Sequence, residues 1–172
     1  MEYLLEVNYK PKFFDALGNT VKKNIEDLGI FGIKKVKTAQ LYHIKGELKE
    51  KELELLCKEL LTDKITQQYT IRPLLPSPPA SCFPPPCRDF RKKAAWEKGK
   101  GFVVQVWYKK GVTDAVADTV KKGATDLGVA GINTVKTGCE YTIIGNISRE
   151  QIERICKGLL ANKVVQDYKI YE

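Results

Sequence analysis

The chain has 172 residues, of which 43% are hydrophobic and 29% charged, and its formal net charge is +8. This composition excludes a wholly disordered or collagen-like protein. No apolar run approaches the roughly 18 residues that a membrane helix needs. The N-terminus (residues 1–10) has no basic region and no small-residue cleavage site, so we do not expect a secretory signal. We therefore expect a cytoplasmic protein that does not associate with membranes.

A tandem repeat organises the chain. Residues 3–71 align without a gap with residues 102–170, and 29 of the 69 pairs are identical. We call the two segments copy 1 and copy 2, and residues 99 positions apart twins. Residues 72–101 hold seven of the eight prolines and a net charge of +5. Because proline-rich segments favour extended polyproline conformation, we predict copy 1 at 1–71, a proline-rich basic linker at 72–101 and copy 2 at 102–172.

The elements of copy 1 follow from hydrophobic periodicity. Residues 3–10 alternate between apolar and polar, which predicts a strand. A helix follows, capped by Asp15 and ended by Gly29. The apolar face of this helix is predicted to contain Leu17, Val21, Ile25 and Leu28. Residues 33–38 and 41–48 are predicted to form two strands, followed by a second helix and a last strand at 65–71.

Copy 2 repeats this order, with Asp114 and Gly128 as the twins of the helix cap and the terminal glycine, and with Ser148 and Gln151 as a capping box. The order βαββαβ predicts an α+β fold, in which each copy is a ferredoxin-like domain with both helices on one sheet face. Because the other face needs cover, we expect the two domains to form an intramolecular pseudo-dimer.

Few residues suggest chemistry. Cys57 and Cys156 lie on an apolar helix face, which favours buried core residues over a redox or metal role. Cys82 and Cys87, spaced C-x4-C in the linker, are either two metal ligands or a local disulfide. His43 lacks the nucleophile and orienting acid that a catalytic base needs, so we interpret it as a polar surface or interface residue. The glycines lack the spacing of a phosphate-binding loop.

Several segments resemble one protein family. LLANKVVQDYKI (159–170), preceded by Cys156 and Lys157, resembles the C-terminal signature of PurS, the small subunit of phosphoribosylformylglycinamidine synthase in purine biosynthesis. KKGVTDAVADTV (109–120) and VKTG (135–138) are similar to two further PurS motifs. Copy 1 resembles the family less closely, and the whole chain is similar to the PurS-like tandem at the N-terminus of some larger synthetase chains.

The resemblance implies a βαββαβ dimer that bridges an ATP-dependent synthetase subunit of the PurL type and a glutaminase subunit of the PurQ type. Ammonia passes between those subunits, which use ATP and glutamine, while the small subunit supplies no catalytic residue and binds no cofactor or metal. This chain would be a covalent version of the dimer, and further oligomers remain open. The candidate partner-contact residues are Asp15, Lys22, Lys23, Lys37, Asp114, Lys121, Lys122 and Lys136.

Three alternatives remain open at this stage. The lysine pairs are also typical of a solvated helix face. Ferredoxin-like pairs can form a small-molecule-binding regulatory module at their interface. A nucleic-acid binder would have to use the basic linker, because the folded copies carry little net charge.

Overall fold

The computed structural model describes residues 1–74 and 101–172. The elements of copy 1 alternate between strand and helix, and a π-helical turn at Cys57–Leu61 extends the second helix. They are β1 (Glu2–Tyr9), α1 (Ala16–Asp27), β2 (Ile33–Gly46), α2 (Glu50–Leu56) and β3 (Gln67–Leu74).

Copy 2 repeats these elements in the same order, again with a π-helical turn, at Cys156–Leu160. They are β4 (Gly101–Tyr108), α3 (Ala115–Asp126), β5 (Ile132–Gly145), α4 (Arg149–Ile155) and β6 (Gln166–Tyr171). Among the described residues, no helix has the length and apolar content needed to cross a membrane.

The predicted pair of middle strands is one continuous strand in each copy. β2 runs through all of Ile33–Gly46, and β5 through all of Ile132–Gly145. The separation predicted at residues 39–40 is therefore wrong. Ala39 and Gln40 pair with Asn8 and Val7 of β1, and this pairing holds the backbone extended where the sequence predicted a break.

The described chain forms two compact units, and each unit takes segments from both copies. Unit 1 contains residues 1–13, 39–74 and 110–138, and unit 2 contains residues 14–38, 101–109 and 139–172. The helix α1 and the first half of β2 thus belong to the unit built around the strands of copy 2, and α3 with the first half of β5 belongs to the unit built around copy 1. The two copies have exchanged a helix and half a strand.

Unit 1 has the strand order β3-β1-β2-β5. β1 pairs antiparallel with β2, placing Leu5 opposite Tyr42, and antiparallel with β3, placing Leu5 opposite Ile71. Its core joins Leu5, Val7 and Ile44 of copy 1 to Val120 and Ala124 of α3. The exchanged helix therefore completes a core that copy 1 does not fill alone.

Unit 2 has the strand order β2-β5-β4-β6, and here the strands of copy 2 are combined with the helix α1 of copy 1. β4 pairs antiparallel with β6, with Val104 opposite Ile170. Val21 and Ile25 of α1 pack with Val104, Ile143 and other buried residues of copy 2. Each unit is a four-stranded sheet with two helices, so the predicted α+β, ferredoxin-like class is confirmed. The pseudo-dimer differs from the expectation in one respect, because the two copies exchange a helix and half a strand.

The end of β3 and the apolar face of α1 also differ from the prediction. β3 continues to Leu74, and Pro73 in it pairs with Tyr3, so residues 72–74 extend a sheet that the linker was expected not to continue. Proline is tolerated there because β3 is an edge strand of unit 1. The predicted apolar face of α1 is also too long, because Leu17 and Leu28 at its two ends are exposed.

Candidate functional site

The first helix of each copy starts at an aspartate, whose carboxylate accepts hydrogen bonds both from the helix and from the strand that follows it. The Oδ1 of Asp15 accepts from the backbone N–H of Gly18 at 2.7 Å, which caps α1, as predicted. Its Oδ2 accepts from the backbone N–H of Thr38 at 2.6 Å, and the hydroxyl of Thr38 lies 3.0 Å from both oxygens. One carboxylate thus joins the start of α1 to the middle of β2.

The twin aspartate makes the same contacts in unit 1. Asp114 accepts from Ala117 N–H at 2.9 Å and from Thr137 N–H at 2.8 Å. The helix and its following strand therefore form a fixed module in both copies. Both carboxylates are engaged within the fold, and their contact with a partner stays a prediction.

The candidate lysines occupy different environments. Lys22 donates to the backbone oxygen of Lys34 at 3.3 Å and lies 3.8 Å from Glu26, while Lys23 is exposed. Lys37 and Lys121 are half-buried, and Lys122 and Lys136 are exposed. Asp15, Lys22, Lys23 and Lys37 belong to unit 2, and their twins belong to unit 1, so the structure divides the candidates equally between the two units.

The two helix cysteines are core residues. Cys57 and Cys156 are fully buried, and burial raises the pKa of each thiol to about 12. The thiolate is the reactive form of cysteine, so burial that raises the pKa in this way makes both thiols poor nucleophiles. Cys82 and Cys87 lie outside the described residues. Within residues 1–74 and 101–172, no three cysteine, histidine or acidic side chains are grouped so that they could hold a metal ion.

His43 is half-buried on the strand face opposite Tyr42, as its position in the alternation predicts. Its Nε2 lies 3.0 Å from Oε2 of Glu2, which also pairs with Lys45 at 3.1 Å. Burial lowers the pKa of His43, and the hydrogen bond to Glu2 opposes this effect. The ring therefore has an internal partner, which fits a polar interface residue.

The sequence analysis missed buried polar residues on the sheet faces away from the helices. In unit 1, Glu6 is buried and lies 3.2 Å from Nη2 of Arg72. In unit 2, Gln105 and Glu140 are only 1% and 3% exposed, and Gln105 Nε2 donates to Glu140 at 3.0 Å. The signal was present in FVVQVW (102–107), where Gln105 is flanked by valines on both sides.

Both copies match a known family. The sequence model of PurS, described as phosphoribosylformylglycinamidine (FGAM) synthase, matches residues 3–74 and 102–171. The chain belongs to the PurS family. The two matches together leave out little more than the linker. Both copies are therefore members of the family, including copy 1, whose motifs are less clear than those of copy 2.

Two solved PurS structures each match about two fifths of the chain. PurS from Methanocaldococcus jannaschii, described as one of the subunits of formylglycinamide ribonucleotide amidotransferase in the purine biosynthetic pathway, is 30% identical. The match covers 41% of this chain and 92% of that one, with a TM-score of 0.31. MTH169, the PurS subunit of FGAM synthetase, is also 30% identical over 41% and 90% of the two chains, with a TM-score of 0.35. No curated protein matches the chain.

The PurS signature at residues 159–170 forms the end of the π-helical turn, a tight loop and β6. Asn162 Oδ1 accepts from the N–H of Val164 at 3.0 Å, and Gln166 Oε1 accepts from the N–H of Asn162 at 3.0 Å. The ammonium group of Lys109 donates to the carbonyl oxygen of Lys163. The polar residues of this PurS motif therefore shape a loop.

Proposed function

We propose that this chain is the non-catalytic subunit of an FGAM synthase complex in purine biosynthesis, where it bridges an ATP-dependent synthetase subunit and a glutaminase subunit. Ammonia released from glutamine by one partner is used by the other partner, and this chain holds the two together. The observation that carries the proposal is the PurS match of both copies, which places two family domains on one chain.

The described side chains with reactive chemistry support a structural contribution. The carboxylates of Asp15 and Asp114 cap helix starts, and burial raises the pKa of the Cys57 and Cys156 thiols to about 12. His43 pairs with Glu2. Each of these groups is committed to the fold, so in this proposal ATP and glutamine bind to the partner subunits.

The exchanged elements support a role for the two copies as a pair. Val120 and Ala124 of copy 2 fill the core around Leu5 of copy 1, and Val21 and Ile25 of copy 1 fill the core around Val104. A copy without its twin would leave these apolar surfaces in water, at a cost of about 25 cal/mol per Å². The tandem chain therefore keeps two different copies in one folded molecule, so each copy can present a different surface to a partner.

Reconstitution tests the proposal. The purified chain is mixed with the synthetase and glutaminase subunits of the same source, and formation of FGAM is followed with glutamine and, separately, with ammonium chloride as the nitrogen donor. We expect the glutamine-dependent rate to require this chain, because ammonia must pass between subunits. The ammonium-dependent rate serves as the control, because it needs no glutaminase and shows that the synthetase is active.

Full glutamine-dependent turnover without the chain would contradict the bridging role. A regulatory module, in contrast, predicts that a small molecule raises the melting temperature of the isolated chain without any protein partner. Thermal denaturation with and without the substrates of the complex distinguishes that alternative.

A further inference from the structure

The helices that the two copies exchange bring side chains of different size into the cores. Ala124 of α3 is 1% exposed in the core of unit 1, and its twin, Ile25 of α1, is fully buried in the core of unit 2. Copy 2 therefore donates the smaller set of side chains and copy 1 the larger set. The donated positions that differ in size are Ala124 against Ile25, Val129 against Ile30 and, reversed by one carbon, Ala117 against Gly18.

The copies that receive these helices differ in the opposite direction. Leu5 of β1 is fully buried in the core of unit 1, and its twin Val104 is fully buried in the core of unit 2. Wherever twins of the described receiving cores differ in size, copy 1 has the larger residue. These pairs are Leu5 against Val104, Tyr3 against Phe102 and Thr62 against Ala161. The larger receiving core thus meets the smaller donated helix, and the smaller core meets the larger helix.

A close contact within unit 1 shows that α3 uses this difference. A Cβ added at Gly123 of α3 would lie 2.7 Å and 2.9 Å from the two terminal carbons of Leu60, in the π-helical turn of copy 1. The twin of Gly123 is Asn24, whose side chain would need the space that Leu60 fills. For α1 to occupy the place of α3, Leu60 would therefore have to move.

Pairing of like with like would disturb both cores. With α1 on the core of copy 1, the larger Ile25 would replace Ala124 in a core that already contains Leu5. With α3 on the core of copy 2, Ala124 would leave unfilled the volume that Ile25 fills. Protein interiors are close-packed, so overpacking and cavities both destabilise them.

We propose that each receiving core selects the helix of the unlike copy by size. The core of copy 1 accepts α3, the core of copy 2 accepts α1, and neither copy exchanges its helix with a second copy of itself. Each folded molecule therefore contains one copy of each kind, joined as an unlike pair. This selection concerns assembly, and it holds whether or not the chain bridges two subunits.

A single twin substitution in the full chain tests the core of unit 1. Ala124→Ile places the residue of copy 1 on α3, and Ala115→Ile, at an exposed position of the same helix, is the matched control for the helix propensity of isoleucine. We expect Ala124→Ile to melt roughly 2–12 °C below the control, because overpacking destabilises a filled core. An equal or higher melting temperature would mean that the core has room for the larger helix, and would overturn the proposal.

A second substitution tests whether the sizes are matched. Leu5→Val should lower the melting temperature of the wild-type chain, because it removes a methylene group from the core. In the Ala124→Ile background the same substitution should raise it, because unit 2 combines Val104 with Ile25. Losses that simply add in the double variant would show that the two positions are independent, and would overturn the size matching.

Exchange of whole segments tests the pairing itself. Replacing residues 114–137 by the sequence of residues 15–38 gives unit 1 the helix of copy 1, and the reverse replacement gives unit 2 the helix of copy 2. Both chains keep their length, and each retains one unlike unit. We expect both to melt below the wild type, and a wild-type melting temperature in either would overturn the proposal. If a chain with an exchanged segment does not fold, the point variants decide.

Discussion

The carboxylate of Asp15 offers a sharp test of how α1 is attached to β2. Its two oxygens accept from Gly18 N–H at 2.7 Å and from Thr38 N–H at 2.6 Å. In Asp15→Asn, one oxygen becomes an NH₂ group, so whichever way the new amide is turned, one backbone N–H faces a donor. In Asp15→Ala, both acceptors are lost.

The expected cost follows from these contacts. Thr38 is buried, and a buried N–H without an acceptor costs about 1–3 kcal/mol. Asn is itself a good helix cap, so Asp15→Asn should lose about that amount when the oxygen caps Gly18. Asp15→Ala also loses the cap, which adds about 1 kcal/mol. At about 2–4 °C per kcal/mol for a chain of this size, we expect Asp15→Ala to lower the melting temperature by roughly 5–15 °C.

Urea unfolding followed by circular dichroism measures both variants. Asp27→Asn is the matched control, because Asp27 is an exposed aspartate at the other end of α1, where a negative charge does not favour the helix. We expect the unfolding free energy to decrease in the order control, Asp15→Asn, Asp15→Ala. Asp114→Asn should reproduce the effect in unit 1. If Asp15→Asn is within about 0.5 kcal/mol of wild type, the carboxylate does not hold helix and strand together.

Three further predictions concern packing and pH. An added Cβ at Gly145 would lie 2.7 Å from the Cα of Ile33, so Gly145→Ala should lower the free energy of unfolding in urea by about 1–3 kcal/mol. The control Gly158→Ala, whose added Cβ meets no atom within 4 Å, should not lower it. Equal effects of the two substitutions would refute the close approach at Gly145. Burial raises the pKa of Cys57 to about 12, so its thiol ionises first in the unfolded chain and the unfolding free energy should fall above about pH 8.5, by up to about 1.4 kcal/mol per pH unit. Between pH 8 and 10, the unfolding free energy of Cys57→Ala should therefore fall less steeply with pH than that of the wild type. Identical slopes would show that the Cys57 thiol does not cause the loss of stability. Burial lowers the pKa of His43, so the unfolded chain takes up a proton first and stability should fall below about pH 6.5. Between pH 7.5 and 5.5, the melting temperature of His43→Thr should fall less than that of the wild type. An equal fall would show that His43 does not cause the loss of stability.

Local features of the fold could be predicted from the sequence because short stretches determine them. Asp15 and Asp114 cap their helices, Gly29 and Gly128 adopt a positive φ, and Ser148 with Gln151 forms the capping box. The repeat and its motifs likewise predicted the family, which both copies match. Each of these features depends on residues that are close together in the chain, so one sequence contains enough information for them.

The exchange between copies was decided only by the tertiary structure. The apolar residues of α1 and α3 follow the same helical periodicity, so the pattern alone does not show which of the strands β1 and β4 each helix covers. The continuous β2 and β5 make the difference, because a strand that does not turn back carries its helix to the other unit.

The burial of polar side chains on the sheet faces away from the helices also depended on tertiary contacts. In an alternating strand, Glu6 and Gln105 occupy positions that are typical of a solvated face, yet both are buried and hydrogen-bonded. Conversely, Leu17 and Leu28 follow helical periodicity and are exposed. The sequence by itself determined the order of strands and helices and the caps of the first helices, because those choices are local, but not the continuity of β2 and β5. Which elements pack together, and which side chains are left in water, is determined by contacts between residues far apart in the chain.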